Sequence, residues 1–199
     1  MRRGEDDRAA PAPAPRPKPD LSAFGAVTLR NAKTGEPGVL TRADRVAVTP
    51  ERLAAITRIC NDPLVYDFLF RRSLRGAPYP PEMAQAFLDG AGRGWREGTG
   101  FVFLILDPAG APLGNVDLMS PDVGAAELGY WATGARPGFV TPAVAAVCDL
   151  ARAAGYRSLF AHTRPHNERS MAVLRRNGFR DVGLVGADAD RARKFVKPL

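Results

Sequence analysis

The chain has 199 residues, 45% hydrophobic and 25% charged, the balance of a folded globular protein rather than of a disordered or membrane-spanning one. Its length suits one domain with a substantial core, and no apolar run is long enough to span a bilayer. The formal net charge of +7 favours phosphate-bearing or other anionic ligands, but the arginines are scattered and no arginine-rich helix or aromatic single-strand platform is present, so a nucleic-acid face is not expected.

Residues 1–22 read as a disordered tail and 23–199 as a single domain. Pro11–Pro19 alternates proline with Ala, Arg and Lys, which favours extended polyproline II and leaves little to bury. The opening MRRGEDDRAA has no apolar stretch of a secretory signal. Ala26–Arg30 is a first short strand, and Val39–Val48 continues or pairs with it. Thr49-Pro50 and Asp62-Pro63 each start a helix with a capping oxygen followed by proline. The first carries Leu53, Ile56, Ile59 and Cys60 on its core face; the second spans Leu64–Phe70. A basic loop, Arg71–Pro81, leads to a third helical pattern of Met83, Ala86, Phe87 and Gly90. Phe101–Leu106, Leu113–Met119 and Glu127–Ala132 are strands separated by turns. Thr133–Val140 is a loop with Gly134, Pro137 and Gly138. Thr141 can cap the next helix, with Pro142 at its first position, Val144, Val147, Ala151 and Ala154 at helical spacing, and Gly155 as its stop. Ser158–Thr163 is a strand. Asn167 is placed to cap a helix carrying Met171, Val173 and Leu174 and ending at Gly178, and Asp181–Leu199 supplies a closing strand pair. This order predicts an α/β fold with a mixed sheet of about six to seven strands, antiparallel in its first half, with helices on both faces. Cys60 and Cys148 fall in apolar helical patterns and read as small core residues, which fits a reducing, cytoplasmic setting.

A loop entering a helix N-terminus presents unpaired N–H groups and the positive end of the helix dipole, and these bind phosphate without a special side chain. The Thr133–Thr141 passage has that form, and an ordinary strand–helix connection has it too. With its neighbours it carries a resemblance. The ELGYW strand, the GFVTPAV passage, and Asn167, Ser170 and Gly178-Phe179 at matching spacing resemble the acyl-CoA-binding half of the GNAT N-acetyltransferases, most closely their RimJ/RimL-type branch. A weaker similarity through NDPLVYDFLF, PPEMAQAFLDGAGRGW, FVFLILD and LGNVDLM extends it over Val27–Leu199. The family's phosphate loop has an Arg or Gln, two residues, a Gly, one residue, and a Gly or Ala. Here those positions hold Ala135, Gly138 and Val140, and Arg136 stands one place from the expected cation.

The resemblance implies a GNAT fold whose splayed strands form an acyl-CoA cleft. It implies acetyl-CoA as donor, no metal, and transfer of acetyl to a primary amine by direct attack on the thioester. The acceptor is a peptide or protein N-terminal α-amine or a small-molecule amine, and a homodimer is allowed. The amides of Gly138, Phe139, Val140 and Thr141 are expected to hold phosphate, helped by Arg136, and an amide near Trp131 or Ala132 to hold the thioester carbonyl. Asn167 resembles the asparagine that holds the pantetheine arm, and is also a plain helix cap. Ser170 is the candidate acid beside the sulphur; the tyrosine that other members use falls at Leu174. Glu127 and Asp117, on adjacent strands, are the candidate bases, with His162 and His166 near the end of a strand as weaker ones. Phe68, Tyr79 and Trp95 are candidates for the substrate pocket, and each is also a plain core residue. A lysine amine costs roughly 4–5 kcal/mol to deprotonate at pH 7 and an α-amine roughly 1, so a site without a strong base leans toward α-amines. The altered Ala135 and Val140 motivate an alternative, a non-catalytic acyl-CoA-binding or sensing module on the same fold.

Overall fold

In the computed structural model, residues 19–21, 24–187 and 191–199 are described. Their elements run β1 (Val27–Arg30), β2 (Pro37–Arg42), α1 (Pro50–Cys60), α2 (Pro63–Leu69), α3 (Pro81–Glu97), β3 (Phe101–Leu106), β4 (Pro112–Leu118), β5 (Ala126–Ala132), α4 (Val140–Ala153), β6 (Ser158–Thr163), α5 (Glu168–Arg176), β7 (Arg180–Val185) and β8 (Ala192–Pro198). The strands form one sheet in the order β1-β2-β3-β4-β5-β6-β8-β7. Eight strands form where the sequence predicts about six to seven, because β2 stands apart from β1 as its hairpin partner and both strands of the closing pair are complete. The mixed character is as expected: β5–β6 is parallel and its neighbours are antiparallel.

That parallel pair positions the site. Strands β4 and β5 are paired from Gly114↔Ala132 to Leu118↔Leu128, whereas β5 and β6 pair only at Ala126↔Leu159 and Glu127↔Phe160. Past Glu127 the two strands separate, while β6 stays paired with β8 on its other edge from Ser158 to Thr163. One edge of β5 is thereby left open in the middle of the sheet.

The helix starts follow local chemistry. Thr49 Oγ1 accepts the Arg52 N–H at 3.3 Å, and Asp62 Oδ1 accepts that of Leu64 at 2.9 Å, each just ahead of a proline. Asn167 Oδ1 caps α5 by accepting the Ser170 N–H at 3.1 Å. Helix α4 departs from expectation: it begins at Val140, with Phe139 at the cap position and no side-chain cap, so Thr141 and Pro142 lie inside its first turn. Helix α3 runs through Gly90, Gly92 and Gly94 and buries Ala84, Leu88, Ala91 and Trp95, while Ala86 is exposed. A Cβ on Gly94 would lie 2.6 Å from the Gly100 carbonyl oxygen; the glycine lets the chain fold back closely from α3 into β3.

Alternation along the strands divides the core between the two sheet faces. Phe103, Val116, Leu128, Phe139, Val144, Leu159 and Phe195 pack on the α4–α5 side, and Ile56, Tyr79, Leu88, Leu104 and Leu106 on the α1–α3 side. Leu21, which the sequence assigns to the tail, is buried in the first cluster with Phe24; residues 1–18 of that tail lie outside the described residues. Cys60 and Cys148 are free and buried. Burial pushes their thiols up to about 12 and about 11, which leaves them inert core residues. No helix among the described residues is long and apolar enough to cross a membrane.

Candidate active site

The gap between β5 and β6 opens into a cleft of about 630 Å³, bounded by the two strands, the 133–141 loop, the start of α4, α5 and the exposed side of α2. Such a volume suits an elongated small ligand. Among the described residues five cations line it, Lys33, Arg136, Arg164, Arg169 and Arg176, and no carboxylate does. Val140 and Thr141, in the first turn of α4, also face it, so the unpaired N–H groups and positive dipole end of a 14-residue helix are directed at the same space. This donor set fits a polyphosphate.

The loop is braced from across the sheet. Asn31, 4% exposed, donates through Nδ2 to the Pro137 carbonyl at 3.2 Å and accepts the Lys33 and Thr34 N–H groups through Oδ1 at 2.8 and 3.2 Å. The Ala32 N–H donates to the Gly138 carbonyl at 3.0 Å. Gly138 has φ +120°, and a Cβ there would meet Asn31 Oδ1 at 2.0 Å. What the missing side chain admits is Asn31, not only a ligand. The same brace carries Lys33 to the cleft. Arg136 is committed, with Nη1 3.1 Å from Asp107 Oδ2 and Nη2 3.5 Å from Glu36 Oε2, so Lys33 is the better placed replacement for the cation missing at Ala135.

Two side-chain pairs flank the opened strands. On the α4–α5 side, the Tyr130 hydroxyl donates to the Ser170 carbonyl at 3.0 Å and its oxygen lies 2.8 Å from Ser170 Oγ. Its single proton being given to the carbonyl, the serine hydroxyl is the donor in the shorter contact. Burial pushes the Tyr130 phenol well up, against the opposing pull of Ser170, so it stays protonated. On the other face, His162 Nδ1 lies 2.8 Å from Glu127 Oε1, both side chains about one-third exposed. His162 faces the cleft. Asp117, paired across the ladder with Gly129, is half-buried; burial, and then the charge of Glu127, push its carboxyl up to about 6.

Comparison with known proteins agrees with this arrangement. The family model described as an acetyltransferase (GNAT) domain matches residues 46–180. The chain belongs to the GNAT acetyltransferase family. Among solved structures, Mycobacterium smegmatis RimJ in complex with CoA-disulfide superposes with a TM-score of 0.67 at 22% identity, over 87% of this chain and 86% of that one. RimL, a ribosomal L7/L12 alpha-N-protein acetyltransferase in complex with coenzyme A, gives 0.66 at 18% over 87% and 98%. Spermidine N-acetyltransferase from Vibrio cholerae, in complex with CoA and spermine, gives 0.60 at 14% over 80% and 95%. At these identities the likeness is one of fold. A search of curated proteins returns no significant match.

In this GNAT acetyltransferase the candidate and observed site residues divide into three groups, the first two singled out from sequence. Trp131, Ala132, Arg136, Gly138, Val140, Thr141, Asn167, Ser170 and Phe68 do line one cleft. Others take different places. The Trp131 N–H is given to Asn115 Oδ1 at 3.1 Å; since amides along a strand alternate sides, it is Ala132 and Tyr130 whose N–H groups face the gap. Phe139 lines the cleft only through its backbone, its ring being 1% exposed in the core. Trp95 is core: its Nε1 donates to the Val102 carbonyl at 2.8 Å and its ring packs edge-on against Phe101 and Phe103, which rules it out as a pocket wall. Tyr79 lines not the cleft but a recess beside it. Leu174 is fully buried, so the position held by an acidic tyrosine elsewhere faces the core. His166 packs on Phe68, ring centroids 5.3 Å apart. The third group went unread: Asn31, Lys33, Asn115 and Tyr130. Only for Tyr130 and Asn115 was there a signal, a polar atom at an inward position of an alternating strand.

Proposed function

We propose that this protein transfers an acetyl group from acetyl-CoA to a primary amine of low pKa, an N-terminal α-amine in the first instance. The observation that carries this is that His162, held by Glu127, and Ser170, held by Tyr130, face one cleft from the two sides of the opened β5–β6 pair. Acetyl-CoA supplies a thioester carbonyl that an amine can attack directly. The α4 N-terminus, Lys33 and the arginines of the cleft hold its phosphates. Asn167, at the head of α5, holds the pantetheine arm, and the Ala132 and Tyr130 amides hold the carbonyl through the negative charge that develops on it. His162 takes the proton of the incoming amine, with Glu127 fixing the ring so that Nε2 is its free nitrogen. Ser170, whose hydroxyl proton rests on the Tyr130 oxygen, gives up that bond and turns the proton to the departing sulphur. Glu127 thus orients the base and Asp117 lies behind it. A single imidazole is a match for an α-amine near pKa 7.7–8.0, about 1 kcal/mol from deprotonation at pH 7, and a poor one for a lysine amine at about 10.4.

The test is thiol release from acetyl-CoA with a panel of primary amines and peptides, with mass spectrometry locating the acetyl group. The expected product is an N-acetylated α-amine, with kcat lowered by about 10²-fold in His162→Ala and KM for acetyl-CoA little changed. A folded protein that binds acetyl-CoA but acetylates no amine overturns the transfer reading, in favour of a binding module; full kcat in His162→Ala overturns the base assignment alone.

A further inference from the structure

A second concavity adjoins the cleft. It is walled by Leu69 and Phe70 at the end of α2, Tyr79 in the following loop, Met83 and Phe87 on α3, and Trp131 on β5. Leu69 and Trp131 line the cleft as well, so the recess is a side chamber of it. Its walls are aliphatic and aromatic side chains. Phe70 and Tyr79 pack as tilted rings with centroids 4.7 Å apart, and Phe87 and Trp131 at 5.5 Å. The one hydroxyl in the wall, that of Tyr79, is turned inward to Cys60. Among the described residues no charged side chain lines the recess, and no carboxylate lines the cleft it joins.

The chamber is built before any ligand arrives. Asn61 Nδ2 donates to the Tyr79 carbonyl and Asn61 Oδ1 accepts the Tyr79 N–H, both at 2.9 Å, fixing the loop that carries the ring. Asp62 caps α2 with one oxygen and accepts the Gly134 N–H with the other at 2.9 Å, tying α2 to the cleft wall. Large apolar side chains face solvent here, Leu69 in the recess wall at 49% exposure and Leu64 in the adjoining cleft at 42%, an arrangement whose covering would be favourable.

Its position relative to the base sets what it can hold. Trp131 and Glu127 point to the same face of β5 by alternation, the face that carries His162. Two residues beyond the last paired rung, Glu127↔Phe160, His162 and Gly129 stand on either side of the opened gap, and Trp131 lies two residues, roughly 7 Å, farther along β5. That separation is the reach of one amino-acid side chain. We propose that the recess is an acceptor subsite for a large apolar side chain on the carbon bearing the amine, so that the acceptors are α-amines of Leu, Met or Phe type. Polyamines are disfavoured, since no carboxylate is among the described residues lining the recess or the cleft and Glu127 is held on His162, and acidic or basic first residues are disfavoured by the cost of desolvating a charge against these walls. The subsite presupposes the amine acetylation proposed above.

Short peptides identical except for a first residue of Leu, Phe, Ser, Glu or Lys, together with spermidine, are assayed with the full chain; free leucine beside leucine amide separates a free amino acid from a peptide N-terminus as the source. The expected result is kcat/KM higher by about tenfold or more for Leu and Phe than for Ser or Glu, the scale on which apolar pockets discriminate, with no turnover of spermidine. Met83→Glu puts a carboxylate into the recess at the third residue of a helix, where a negative charge is tolerated, and is expected to raise the Lys-first peptide relative to the Leu-first one while acetyl-CoA affinity by calorimetry stays that of the parent. Equal kcat/KM across the series, or a Met83→Glu effect identical for all peptides, overturns the subsite. If acetyl-CoA binds and no peptide is acetylated, the transfer reading fails instead. The subsite is then read by calorimetric binding of the same peptides to the CoA-saturated protein: preference for Leu and Phe upholds it, and equal or absent binding overturns it.

Discussion

At the scale of single residues, Asp117 and Glu127 look alike in sequence and differ in place. Asp117 carries the raised carboxyl, at about 6 against an unfolded value near 3.9. The folded state therefore holds this proton more tightly than the unfolded state between those values. Its contribution is full below about pH 4 and is lost as pH rises through about 6. Asp117→Asn is expected to raise Tm at pH 8 by about 2–4 °C, what about 1 kcal/mol gives in a domain of this size, and the gain should vanish by pH 4 in thermal melts; an equal gain at both pH values would place its cause elsewhere. The Tyr130–Ser170 pair makes a second prediction. Ser170→Ala and Tyr130→Phe should each lower kcat by about tenfold, and the double variant by little more than either, because the two hydroxyls act as one unit. Of these residues Ser170 was legible from its motif spacing, whereas Tyr130 was not singled out, since its hydroxyl gains meaning only when α5 is folded back against β5.

Among elements, the 133–141 loop shows how a sequence signal can be right about place and incomplete about cause. Gly138 marks a phosphate loop in the family pattern, yet its conformation is set by the β1–β2 turn, 106 residues away in sequence from Pro137 to Asn31. Asn31→Ala deletes three hydrogen bonds at a buried site and is expected to cost about 1–3 kcal/mol and to weaken acetyl-CoA binding. Gly138→Ala adds a clash with Asn31 to a strained backbone, about 1–3 kcal/mol for the strain alone. In urea unfolding the double variant should be less destabilised than the sum of the two, since removing Asn31 removes the clash and leaves only the strain; strict additivity would mean that the two residues do not share a contact. The helix caps at Thr49, Asp62 and Asn167 were legible because capping is local chemistry. The start of α4 was not, because Phe139 is drawn into the core beneath Gly38 and pulls the helix onset to Val140.

For the molecule as a whole, a net charge of +7 is a diffuse property, but among the described residues the fold gathers five cations and no carboxylate around one cleft. Between about 0.01 M and about 1 M salt the screening length falls from about 30 Å to about 3 Å. KM for acetyl-CoA is therefore expected to rise by about tenfold over that range, with KM for an uncharged acceptor amine nearly flat. A salt-independent KM for acetyl-CoA would mean that the helix amides alone hold the phosphates.

The sequence by itself determined what rests on short-range physics: the alternation of the strands, the capped and glycine-stopped helices, the inert cysteines, and the spacing of Gly138, Asn167 and Ser170 that carries the family resemblance. Only the tertiary structure decided which of these face one another. The parting of β5 and β6 after Glu127, the brace of Asn31 on Pro137, the contact of Tyr130 with Ser170, and the pairing of His162 with Glu127 all involve residues far apart in the chain. Those contacts follow from sheet order and helix packing, and no local pattern records them.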